Sequence, residues 1–154
     1  MKKQFLFITA ILLSISTFAQ NKSESLAINW PDEYNWKVGS DQENDKMHLI
    51  ELVPGNETVE KWTIIGTMTS IKGLKGVPMD KVMNITFDQA KQHAPKAQLT
   101  LVEKSEKWIL FKIEAPSFKN DKNPESQLFY IIQGEQTLYT NMVAIKEKTL
   151  PAAF

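Results

Sequence analysis

The residues able to do chemistry in this 154-residue chain are few and scattered. His48 and His93 are the only imidazoles, and cysteine is absent. Covalent catalysis needs a nucleophile with a base in reach, yet no serine stands in Gly-x-Ser-x-Gly and no Ser-x-x-Lys occurs. Two distant histidines without a thiol give no zinc signature, so neither a metal nor a cofactor is expected. Asp41, Glu43 and Asp45 alternate like the start of a calcium loop. Lys46 then stands where that loop needs glycine, and Leu52 where it needs a bidentate glutamate. The run reads as a solvated acidic loop. Lys72 and Lys75 flank two glycines but lack the Lys-Ser or Lys-Thr of a phosphate loop, so that stretch reads as a mobile connector.

One enzymatic alternative survives. Glu51, Glu57 and Glu60 surround a turn, and paired carboxylates can hydrolyse glycosides. The remaining chemistry is that of recognition. Trp30, Trp36, His48, Trp108 and Tyr130 form the candidate ligand or partner surface. Tryptophans can stack on sugars, and they equally fill cores, each burying some 200 Å² or more. His48 shares a strand face with Ile50 and Leu52, which suits a hydrogen-bonded structural histidine as well.

The elements that must position these groups follow from hydrophobic periodicity. Leu26, Ile28 and Trp30 alternate with polar or small neighbours, the pattern of a short strand that Pro31 stops. Trp36 and Val38 begin another, before a polar run from Gly39 to Asp45. Met47 to Val53 and Lys61 to Met68 read as a hairpin around Pro54-Gly55-Asn56. Met79, Met83, Phe87, Ala90 and Ala94 recur every three or four residues, which predicts one helix ended by Pro95. That stripe of methionine and phenylalanine is a core face, since thioethers fill irregular gaps. Gln98 to Glu103, Trp108 to Ala115, Gln127 to Gln133 and Thr137 to Ile145 complete the chain as strands, with Gly134 expected at positive φ in the last tight turn. The fold class is α+β: an antiparallel β-sheet with one main helix on one face.

A single helix is too narrow for such a sheet. It covers two or three strands of one face, yet Leu128, Tyr130 and Ile132 oppose Phe129 and Ile131 on the same strand. The N-terminal segment with Leu26, Ile28, Trp30 and Trp36, and the C-terminal Leu150 to Phe154, are expected to help cover the rest. A partner or ligand could do so too, and a homodimer through a sheet face is one possibility.

Composition sets the setting. Residues 1–19 read as a signal peptide: Lys2 and Lys3, an apolar run from Phe5 to Ile15, then small residues at Thr17 and Ala19. The run is shorter than the ~20 residues that span a bilayer, so no stable membrane anchor is expected after cleavage. A single domain of residues 20–154 remains, in the periplasm or secreted. All 18 basic residues are lysine, and cleavage would leave 16 of them against 18 acids. That balance excludes nucleic acid as a partner, because its binding rests on neutralising phosphates. Without cysteine there is no lipid attachment and no disulfide, and the fold must hold by burial alone.

The segment Glu51-Leu-Val-Pro-Gly-Asn-Glu-Thr-Val-Glu-Lys-Trp62-Thr63 resembles one found in small exported bacterial proteins of uncharacterised function. The opening Trp30-Pro31 to Trp36, followed by strands, is similar to PsbP/Mog1-like domains, which implies a helix-flanked antiparallel sheet. Neither resemblance brings an activity or a catalytic residue. The expectation is an exported, non-catalytic binding module for a protein, an apolar ligand or a sugar. The alternative is an inhibitor or immunity-type protein presenting Lys72 to Pro78 or Ser117 to Pro124 as its protruding loop.

Overall fold

A computed structural model describes residues 24–151; the expected signal peptide and the last three residues lie outside the described residues. After a short 3-10 turn at Asp32–Tyr34 come β1 (Trp36–Glu43), β2 (Met47–Pro54) and β3 (Ile64–Lys72). The helix α1 (Met79–His93) follows, then β4 (Gln98–Lys104), β5 (Trp108–Ala115), β6 (Glu125–Gln133) and β7 (Thr137–Ile145). The strands form one seven-stranded sheet in the order β1-β2-β3-β7-β6-β5-β4, every neighbouring pair antiparallel. This is the α+β fold that the periodicity predicts, with one α-helix among the described residues. Two meanders, β1 to β3 and β4 to β7, are joined in the middle by β3 against β7. α1 carries the chain from the sheet centre to its far edge.

Side chains alternate across each strand, so the register sorts them onto two faces. The front face carries Ile109, Phe111, Ile113 and Ala115 of β5 beside Phe129 and Ile131 of β6. α1 lays Met79 and Met83 on them, with Val82, Phe87 and Ala90 packed alongside. Phe111 and Phe129 stack with ring centroids 4.9 Å apart. Lys104 on β4 grips both oxygens of Asp80 at 2.8 Å, which fixes the start of α1. A second, smaller cluster of Val53, Ile65 and Ala144 lies under Val59 and Trp62. Trp62 is half-buried at the edge of that cluster, with the Lys146 ammonium 3.9 Å from its ring centroid.

The back face is covered differently. Residues 24–30 form no strand, contrary to the period-2 reading of Leu26, Ile28 and Trp30. The alternation is real, since all three are half-buried between exposed neighbours. Here, however, it serves an extended strap laid on a sheet face, where no strand edge is available to pair with. Trp30 lies on Gly66 so closely that an added Cβ would come 2.7 Å from its ring. Its indole N–H donates to Met68 Sδ at 3.4 Å. At the other end, the Glu24 carboxylate accepts the backbone N–H groups of Glu135 and Gln136, at 2.8 and 2.9 Å. Gly134 is therefore needed for room rather than for a left-handed φ: a Cβ there would run into Glu24.

Three more features differ from expectation. β1 continues through the polar run to Glu43, with a bulge between Val38 and Ser40 at the sheet edge. Asp41 and Glu43 are thus strand residues, not loop ligands. β3 begins at Ile64, because residues 55–63 form a longer connection closed by a Thr58–Lys61 bridge. The Lys72 to Pro78 connector is tethered: Gln133 accepts the Val77 N–H and donates to the Leu74 carbonyl, both at 3.2 Å.

Candidate functional site

Where α1 ends, its cover ends too. A groove of about 640 Å³ opens between the C-terminal half of α1, β5, β6 and the loop joining those strands. Its walls are Ala90, Ala94, Ile113, Ala115, Phe118 and Phe129, and its rim carries Thr86, Gln89, His93, Lys119, Asp121, Glu125 and Gln127. The far wall is held by backbone bonds. The Lys119 N–H donates to the His93 carbonyl at 2.9 Å, and the Phe118 N–H to the Asp121 carbonyl at 2.7 Å. Phe118, the lone large apolar residue in a polar loop, is thereby turned onto the core. Apolar walls, a few polar rim groups and this volume are the ordinary make-up of a small-molecule site.

The acids beside the groove are engaged in structure. Glu125 is buried, with one carboxylate oxygen 2.8 Å from Lys146 Nζ and the other accepting from Gln127 Nε2 at 2.7 Å. A buried charge is tolerable when paired in this way. Asp121 Oδ1 accepts the Asn123 N–H at 2.9 Å, an Asx turn within the loop. Of the three glutamates in the hydrolase alternative, none lines this groove. Glu57 instead clamps Thr63, accepting its N–H at 2.7 Å and its hydroxyl at 2.6 Å. Burial pushes the Glu57 pKa up, and these bonds, with one from the Ile64 N–H, outweigh it and lower the pKa. Glu60 is held below the usual carboxylate range by the Thr58 hydroxyl and its own N–H.

The five residues of the candidate surface all fall on the back face, in separate groups. Trp30 and Trp36 meet edge to face with centroids 5.4 Å apart, and Tyr34 tilts against Trp36 at 5.3 Å. His48 Nε2 pairs with Asp41 Oδ1 at 2.7 Å across β1 and β2. Beside that pair, Lys72 holds Glu43 at 2.9 Å, and this contact lowers the Glu43 pKa. Trp108 and Tyr130 lie three and two strands from β3, on β5 and β6. Their planes cross at 69° with centroids 5.8 Å apart. Rings crossed edge to face offer a sugar no shared flat platform.

Beneath the strap is a second, smaller space of about 220 Å³, between residues 24–26 and a floor of β2, β3 and β7. The sequence reading missed both spaces. Phe118 was the available signal for the groove, as an aromatic residue isolated in a polar loop. Nothing in the pattern of residues 24–30 distinguished a strap from a strand.

Among the described residues, no group of three or more His, Asp or Glu could hold a metal ion. No helix there is long and apolar enough to cross a membrane. The chain matches no family model, no curated protein and no solved structure.

Proposed function

We propose that this protein is an exported, non-catalytic binding module, and that it takes an apolar ligand in the groove at the end of α1. The observation that carries this reading is the groove itself. Its apolar walls come from α1, β5, β6 and the loop between those strands, and both oxygens of its buried rim acid, Glu125, are committed to Lys146 and Gln127. A site built for hydrolysis needs a carboxylate available to the substrate. The inhibitor reading fits less well, because both loops it needs are bound back onto the body, one through Gln133 and the other through the His93 carbonyl.

Titration with Nile red, a neutral apolar fluorophore, tests the reading. The expected result is saturable one-to-one binding with blue-shifted emission, lost in Thr86→Phe, which places a ring in the groove. Emission that never saturates, or that is unchanged in Thr86→Phe, would contradict it. Export is tested separately by mass spectrometry of the protein from the envelope fraction, where a chain beginning at Gln20 is expected. Retention of residues 1–19 would remove the export half of the reading and leave the groove untouched.

A further inference from the structure

We propose that the space under the strap is a second ligand site, independent of the groove. It suits a neutral, ring-sized molecule that combines an apolar body with one hydrogen-bonding group. Size comes first. A cavity of about 150 Å³ accepts benzene, so the space of about 220 Å³ here holds one substituted six-membered ring. Leu26, Ile50, Met68 and the ring of Tyr139 supply apolar wall, and Ser70 and Asn141 supply polar wall. Ser70 stands at the centre, in register with His48 on one side and Tyr139 on the other.

Charge then narrows the class. Glu24, His48 and Lys72 are the lining residues that can carry charge near neutral pH, and each is already matched. Glu24 is spent on the Glu135 and Gln136 N–H groups, His48 on Asp41, and Lys72 on Glu43. A charged ligand would be desolvated without a counter-charge, which is unfavourable, whereas a neutral one meets no such penalty. The hydrogen-bonding group is called for by Tyr139. That residue is 8% exposed, and its hydroxyl is buried with no partner among the described residues. Buried hydroxyls are ordinarily satisfied, and an unmet one calls for an explanation. Tyr139 lines the space that the strap roofs. Among the described residues, no backbone hydrogen bond joins residues 24–30 to the sheet, so the roof rests on side chains, with the Glu24 hook at one end and the Trp30 wedge at the other. Lifting the hook end opens the cavity and gives a ligand's donor or acceptor access to the hydroxyl.

The probe is p-cresol, with toluene as the analogue lacking the hydroxyl. The expected result is saturable one-to-one binding of p-cresol to the unaltered protein, with nuclear Overhauser contacts from its ring protons to the Met68 methyl and the Tyr139 ring. Toluene should bind roughly fivefold more weakly, the worth of one hydrogen bond. Tyr139→Phe should bring the two affinities together, and Ser70→Phe should abolish both in a chain that keeps its near-ultraviolet circular dichroism. Three results would each overturn the proposal: no saturable binding of p-cresol, contacts to Phe118 in the groove instead of Met68, or an unchanged p-cresol-to-toluene ratio in Tyr139→Phe. The contacts are measured on the unaltered chain, so a variant that fails to fold does not leave the question open.

Discussion

The two faces of the sheet are covered by elements of different kinds, and each cover ends short of the surface beneath it. On the front, α1 has 15 residues whose backbone bonds are satisfied within the helix, and its apolar stripe interlocks with β5 and β6. On the back, a strap of seven residues lies across β3 and β7, and among the described residues no backbone hydrogen bond ties it to the sheet. On the front, Ile109, Phe111 and Ile131 are fully buried. The back leaves the Trp36 indole N–H and the Tyr139 hydroxyl without partners among the described residues. Stability is therefore concentrated under the helix, and the strap is the more easily displaced cover. Room for ligands appears at the end of one cover and beneath the other.

Four substitutions test that contrast. Phe111→Ala removes a ring stacked on Phe129 under the helix, and it should cost about 3–5 kcal/mol in denaturant unfolding. Trp108→Ala, on the half-buried back of the same strand, should cost about 1–2 kcal/mol. Equal losses would mean that the back face is as well packed as the front. Gly66→Leu puts a side chain where Trp30 rests, and overpacking of this kind costs about 1–3 kcal/mol. It should also make residues 24–30 the first site of limited proteolysis, whereas an unchanged cleavage pattern would argue against the wedge. Glu24→Gln weakens the hook, with an expected loss of about 1 kcal/mol and faster hydrogen exchange at the Glu135 and Gln136 amides. Slow exchange retained there would show that the hook is not needed to hold the turn.

The smallest effect concerns pH, in the cluster under Trp62. Because the folded protein holds the Glu57 pKa below its unfolded value of about 4.3, the Thr63 clamp contributes its full stability above that pH. The contribution fades as the pH falls through the lowered value. Glu57→Gln should thus flatten the acid side of the stability profile below about pH 4 and leave the shape near neutrality unchanged. An identical acid limb in wild type and variant would remove the clamp from the account.

The strands from Met47 onward and the helix were legible because their apolar residues repeat with the period of the element that buries them. The helix stripe from Met79 to Ala94 and the alternation of Ile109, Phe111 and Ile113 needed no tertiary information. Leu26, Ile28 and Trp30 misled because alternation reports one buried side, not a hydrogen-bonded neighbour. Gly134 misled for a related reason: its need is set by Glu24, 110 positions earlier in the chain, and no local rule contains that contact. β1 was cut short because polar residues predominate along an edge strand, whose side chains are mostly exposed. The five candidate residues do share a face, but what gathers beside them is a strap and its cavity. The groove was invisible because it is made by the place where α1 stops and by the path of a loop.

The most direct test of the account is an amide chemical-shift map of the protein titrated with dodecanol, a neutral alkyl chain. The predicted changes cluster at Thr86 to Ala94, Ile113 to Ala115, Phe118 to Asp121 and Glu125 to Phe129, the four stretches that line the groove. Shifts confined to Trp108 and Tyr130 on the back face, or no saturable shifts at all, would contradict it.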